Sequence, residues 1–291
     1  MHHKISIRFY DNKEVRAIWD EADSKWWFSV IDVVGVLNEE NDYMKVRNYW
    51  KYLKTKLKKE DSQLVSVANQ FKLVAPDGKL RLTDTLDSNW VVTLAKHFPN
   101  NRAMKFLDRF LYSDNSIDGQ SKKKAYTLFE SNLINEFEVG TTKWLQQIHA
   151  YLFGGLYDFA GKIRQKNISK WWFRFASAEF LEATLTTIEQ MPEDTLDNII
   201  KKYVETNVAH PFMEGNGRST RIWLDLILKK QLSKCVDWSR ITKNDYMNAM
   251  IESHADSTKI THLIQYALTD DIYSREMFMK GIDYSYYYEE E

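Results

Sequence analysis

The spacing of apolar residues changes once along this chain, and the change limits the folds open to it. Over the first hundred residues two periods are mixed. Ile5, Ile7 and Phe9 alternate with polar residues as in a strand, Asp11-Asn12-Lys13 reads as a turn, and the alternation resumes from Val15 to Trp19. Residues 26–30 suit a third strand, 31–37 are apolar at helical spacing, and 43–59 form a second helix candidate with Val46, Tyr49, Trp50, Leu53 and Leu57 on one side. A further pair of strands flanks Pro76-Asp77-Gly78, a strong turn signal, and helical segments follow from about 86 to 111. Residues 113–121 are polar and turn-forming and run into Lys122, Lys123 and Lys124, which reads as a linker. Beyond it the helical period dominates, in 142–157, 178–190, 196–207, 219–232 and 243–253, and only 162–175 offers β structure. The expectation is a multidomain α+β protein. An α+β module (1–112) and a linker (113–124) precede a mainly α-helical domain (125–291) with a small β-hairpin.

A chain of 291 residues accommodates two domains. Its net charge of -1 excludes a globally basic nucleic-acid binder while leaving room for a local basic patch. The single cysteine, Cys235, excludes an internal disulfide and a cysteine-based zinc site. No signal peptide or membrane span is evident, so a cytoplasmic location and no membrane partner are expected. Trp26-Trp27-Phe28 reads as core, and Trp171-Trp172-Phe173 and Tyr286-Tyr287-Tyr288 as candidates for contact with a partner.

The residues richest in chemistry are 210–221, His-Pro-Phe-Met-Glu-Gly-Asn-Gly-Arg-Ser-Thr-Arg. Gly215 and Gly217 around Asn216 permit a tight turn whose backbone N–H groups point one way. A helix of good formers follows, and its N-terminus adds free N–H groups and partial positive charge, a seat for an anion. Arg218 and Arg221 are three apart and can grip a polyphosphate with two guanidinium forks. Glu214 suits a Mg²⁺ bridging phosphates, and His210, with an ordinary pKa of about 6.5, suits a general base acting on a hydroxyl. Pro211 and Phe212 fix the loop. The isolated His97 and His149 read as structural.

These twelve residues match at every defined position the His-Pro-Phe-x-Glu-Gly-Asn-Gly-Arg-x-x-Arg signature of the Fic (Fic/Doc) family, which the chain resembles from about residue 125 to its C-terminus. The segments 148–153 and 157–164 resemble the approach to that family's flap. The resemblance implies transfer of AMP from ATP, with Mg²⁺, to a Ser, Thr or Tyr hydroxyl of a target protein. In that scheme His210 is the base and Glu214 positions the metal. Asn216 and the amides of Gly215 and Gly217 hold the α- and β-phosphates, Arg218 grips beside them, and Arg221 binds the γ-phosphate. Gly217 after Asn216 favours nucleotidyl transfer over the family's phosphotransferase branch.

Residues 166–175 resemble the flap hairpin, whose exposed strand edge would pair with the target's backbone. Asn167, Ile168, Ser169, Lys170, Trp171 and Trp172 are its docking residues. The two tryptophans stand where glycine is common and either pack inward or form an apolar anchor. At the C-terminus Ser285 and Glu289 resemble the inhibitory motif Ser/Thr-x-x-x-Glu-Gly/Asn, with Glu290 departing from it. This implies an inhibitory helix at about 282–291 whose Glu289 occupies Arg221. Once released, Tyr286, Tyr287 or Tyr288 is expected to become a self-modification target.

Residues 5 to about 111 resemble the N-terminal domain of Bro-type phage antirepressors. The cues are Ile7-Arg8-Phe9-Tyr10, the run from Trp26 to Val33, and Arg47-Asn48-Tyr49-Trp50. DNA binding is implied, and Lys45, Arg47, Lys51, Lys54, Lys56, Lys58 and Lys59 supply phosphate contacts on one helix. Two other readings stay open: a DNA-binding regulator whose Fic domain senses nucleotide, and a Fic transferase using another donor.

Overall fold

The computed structural model describes residues 4–289 apart from 11–12, 21, 23–24, 61, 76, 113–115, 132, 137–138 and 171–172. The chain divides into two compact units, residues 1–114 and 115–291.

In the first unit β1 (Lys4–Tyr10), β2 (Lys13–Asp20), β3 (Lys25–Ser29), β4 (Asn69–Val74) and β5 (Leu80–Asp87) form an antiparallel sheet in the order β1-β2-β3-β5-β4. Strand alternation sorts the side chains onto two faces. Val15, Ala17, Phe28 and Leu86 join a core with α1 (Val30–Asn38), α2 (Tyr43–Lys59), α3 (Gln63–Ser66), α4 (Ser88–Ala95) and α5 (Asn100–Tyr112). On the other face Ile18, Trp27 and Leu73 form a smaller cluster. Two residues of the expected Trp26-Trp27-Phe28 core segment thus serve two different cores. The chain passes from β3 into α1 without a loop, because the Ser29 hydroxyl accepts the Asp32 N–H at 3.4 Å. Asp32 in turn accepts two hydrogen bonds of 2.7 Å from the Arg16 guanidinium, tying β2 to the start of the helix.

Asp42 caps α2 through the N–H groups of Met44 and Lys45. Val46, Trp50, Leu53 and Leu57 are buried beneath it, whereas Tyr49 lies at the boundary with solvent. Lys54 is half-buried and donates to Asp84 at 2.7 Å, beside the Trp50 indole on the same carboxylate. It is therefore spent inside the unit rather than displayed with Arg47, Lys51, Lys58 and Lys59, which are exposed.

The second unit comprises α6 (Ile117–Glu130), α7 (Thr142–Phe153), a hairpin of β6 (Ser169–Lys170) and β7 (Phe173–Arg174), α8 (Leu181–Glu189), α9 (Leu196–Ala209), α10 (Asn216–Leu232), β8 (Cys235–Val236), α11 (Lys243–Glu252), α12 (Thr258–Ala267), β9 (Leu268–Thr269) and α13 (Arg275–Tyr287). Helix α10 is buried on nearly every side, from Arg218, Ser219, Thr220 and Arg221 through Leu228, which makes it the central rod of the unit. No described helix is long and apolar enough to cross a membrane.

Three expectations change. Most of the segment read as a linker is α6: Ser116 accepts the Gly119 N–H at 3.0 Å, and Ser121, Ala125 and Leu128 are buried. The three lysines that suggested a linker belong to this helix, and residues 113–115 lie outside the described ones. The C-terminal helix starts at Arg275 rather than near 282, because Ser274 caps it through the Met277 N–H. Finally, β8 pairs with β9 antiparallel, a second small sheet beyond 162–175; two residues are too few to carry a period.

Candidate active site

Helix α9 ends at His210, whose backbone is left-handed (φ 50, ψ 65) while its N–H still reaches the Thr206 carbonyl at 3.0 Å. This conformation costs a non-glycine residue about 1 kcal/mol or more and turns the chain sharply into the loop that follows. Phe212 is fully buried and anchors that loop. The Asn216 side chain closes it, accepting the Phe212 N–H and donating to the Phe212 carbonyl, both at 2.8 Å. Both ends of the Asn216 amide are thereby engaged in closing the loop.

His149 supports the loop from α7. The Gly161 N–H can only donate, so His149 Nδ1 accepts it at 2.8 Å, and Nε2–H donates to the Glu214 carbonyl at 2.8 Å. The ring stacks on Phe212 with centroids 3.8 Å apart, and burial lowers its pKa from 6.5 to about 4, so it stays neutral. Gly215 (φ 79) follows, packed so closely on the Phe153 ring that a Cβ would collide with it. Gly215 starts α10 without a side-chain cap. The first-turn N–H groups are therefore left facing outward as an anion seat.

A carboxylate stands beside that first turn. Glu289 Oε1 is placed so that a Cβ on Gly217 would overlap it, and it accepts from Arg221 Nη2 at 2.5 Å. Arg221 is 1% exposed. Its Nε donates to the Ser285 hydroxyl at 2.8 Å, its Nη2 to the Ser285 carbonyl at 2.7 Å, and its Nη1 to the Tyr246 hydroxyl at 3.1 Å. Burial pushes the Glu289 pKa up, but Arg221 beside it more than reverses this and leaves it below the usual carboxylate value. Ser285 and Glu289 thus lie together on Arg221; Glu290 lies outside the described residues.

Arg218 is held equally firmly. It donates to Glu214 at 2.8 Å and to Asp118 of α6, and its guanidinium lies over the rings of Phe153 and Tyr286. Asp118 escaped the sequence reading because it sits a hundred residues away in the supposed linker.

His210 lines a cleft of about 150 Å³ together with Lys170, Phe173, Phe175, Arg221, Tyr246 and Glu289. Its Nδ1–H points to the Asn207 carbonyl at 3.2 Å, which leaves Nε2 as the basic nitrogen. Burial lowers its pKa from 6.5 to about 4. The Phe175 ring stacks on the imidazole at 3.8 Å. Phe175 follows the hairpin, and only its alternation with Phe173 hinted at this role. Of the expected docking residues, Ser169 and Lys170 are exposed on β6 and Ile168 is half-buried. Asn167 accepts the Ala178 N–H at 2.8 Å and so also braces the hairpin's base. Trp171 and Trp172 lie outside the described residues.

Residues 140–228 match the Fic/DOC family. Over 166 residues the chain is 30% identical to the protein adenylyltransferase VbhT of Bartonella schoenbuchensis, a match taking in 50% of this chain and 34% of VbhT. The chain thus spans about a third of the length of that curated relative. Among solved structures it is similar to BepC of Bartonella tribocorum with bound AMPPNP (20% identity, 53% of this chain and 84% of that one, TM-score 0.44). It is also similar to a Fic domain of Bartonella quintana with bound ADP (20% identity, 55% and 86%, TM-score 0.45).

Proposed function

We propose that this protein is an adenylyltransferase that moves AMP from ATP onto a Ser, Thr or Tyr hydroxyl of a target protein, restrained by α13. One observation carries the reading. The first turn of α10 and the Arg221 fork, both suited to phosphate, face the same cleft as a neutral histidine and are closed by a carboxylate. With α13 displaced, polyphosphate takes the place of the Glu289 carboxylate at the α10 N-terminus, gripped by Arg221 and Arg218. The target hydroxyl oxygen attacks the α-phosphorus and its proton passes to His210 Nε2. The α–β phosphoanhydride bond breaks and pyrophosphate leaves. Glu214 is the carboxylate suited to Mg²⁺, its side chain being 55% exposed even while it pairs with Arg218. The bound metal would neutralise phosphate charge.

VbhT is named as a protein adenylyltransferase, which supports the same activity here. Self-modification requires release of α13, because Tyr286 and Tyr288 are buried and the Tyr288 hydroxyl shares its one proton between the carbonyls of Trp238 and Ile241. In the first unit, the exposed Arg47, Lys51, Lys58 and Lys59 of α2 support a nucleic-acid partner of the Bro-type kind, in a cytoplasmic protein.

The test uses ATP labelled at either the α- or the γ-phosphate. Retention of α-label and loss of γ-label on protein supports AMP transfer. Retention of γ-label, or transfer from a different donor only, contradicts it.

A further inference from the structure

We propose that Arg164 is a positioning residue that fixes the backbone of His210 and the root of the β6–β7 hairpin as a single piece. The inference rests on the proposed transferase reading for its kinetic consequence and on geometry for everything else.

Arg164 is 3% exposed. No carboxylate is within salt-bridge distance among the described ion pairs; its partners are backbone carbonyls. Nε donates to His210 at 2.7 Å, Nη2 to Ala209 at 3.0 Å and Ala176 at 2.5 Å, and Nη1 to Lys166 at 2.7 Å. The Arg164 N–H adds a bond to the Pro211 carbonyl at 2.9 Å. Three consecutive carbonyls, those of Ala209, His210 and Pro211, are thus pinned by one residue at the point where the chain is left-handed.

The other two carbonyls, Lys166 and Ala176, belong to the two ends of the hairpin segment. Ala176 also reaches α9 through its N–H to the Val208 carbonyl, and the neighbouring Phe175 lies on the imidazole. A planar fork with fixed donor directions can hold four carbonyls at once, whereas the ammonium of lysine is a compact point donor. A target strand paired with the hairpin is therefore held in a set relation to the base. Misplacement on the order of 1 Å in such a relation costs about a hundredfold in rate.

The experiment compares Arg164→Lys and Arg164→Gln in the full chain. Lysine keeps the charge and the aliphatic stem, so it decides the matter where the glutamine variant does not fold. In a Glu289→Gly background, adduct formation should lose about a hundredfold in kcat with the KM for ATP little changed, since both phosphate-gripping arginines are untouched. In parallel, without nucleotide, the His210 Cα and Cβ NMR shifts should leave their left-handed values, and the Ser169, Lys170, Phe173 and Arg174 amides should move with them. Parent-like kcat in Arg164→Lys, or equal losses in kcat and ATP affinity, overturns the proposal. Should the Glu289→Gly parent form no adduct, the transferase reading fails instead. The NMR arm then still decides: unchanged His210 and hairpin shifts overturn the positioning role.

Discussion

At the scale of single residues the site is a set of charges each already matched. Arg221 meets Glu289, and Arg218 meets Glu214 and Asp118. Leaving a buried arginine without its carboxylate costs about 3–5 kcal/mol, more than a short helix contributes by itself. Glu289→Gly should therefore leave Arg221, still held by Ser285 and Tyr246, short of an anion and tighten its hold on phosphate. Asp118→Asn should tighten ATP binding to the resting protein several-fold, measured by calorimetry, because a neutral amide competes less with phosphate for Arg218; unchanged affinity would remove Asp118 from the restraint. The grouping of His210, Glu214 and both arginines about one loop was legible because they are closely spaced in sequence. The loop-closing hydrogen bonds of the Asn216 side chain to Phe212 were not, since nothing in the local spacing announces them. Asp118 and Arg164 were beyond reach for another reason: their partners are distant in sequence, or are backbone atoms that leave no trace in it.

At the scale of elements, α6 and α13 act as one clasp. Lys122 pairs with Asp283 at 2.6 Å, Tyr126 donates to the same carboxylate, and Phe129 stacks on Phe278 at 4.7 Å. The helix that supplies Asp118 to Arg218 thus also holds the helix that supplies Glu289 to Arg221. Acid should loosen this arrangement in two stages. His149 and His210 have folded pKa values of about 4 against an ordinary 6.5. The unfolded chain therefore binds more protons between these values, and stability falls as pH drops through that window, by up to about 1.4 kcal/mol per pH unit for each histidine. Glu289, with its folded pKa depressed, contributes stability above the ordinary carboxylate pKa. It loses that contribution only as pH falls further, through its folded value. Urea midpoints between pH 7 and 4 check the first stage, and a flat profile would contradict it. The periods in the sequence located α9, α11 and the body of α10. They missed α6, whose buried residues are few and lie among lysines and serines.

At the scale of the whole molecule, the change of hydrophobic period near residue 113 coincides with the division into units at 114/115. The first unit presents a basic, tyrosine-bearing face on α2, with Tyr52 66% exposed. Affinity for duplex DNA should fall with salt at a logarithmic slope of about -3 to -4, near -0.9 per phosphate contact. Arg47→Glu with Lys51→Glu should flatten that slope, and salt-independent binding would contradict this use of α2. The measurement that bears most directly on the account as a whole is intact-mass spectrometry after incubation with ATP and Mg²⁺ in a host lysate. Wild type, Glu289→Gly and His210→Ala/Glu289→Gly are compared. The account predicts AMP adducts with the Glu289→Gly protein, few with wild type and none with the double variant. Equal adducts with wild type and Glu289→Gly, or adducts that persist without His210, would contradict it.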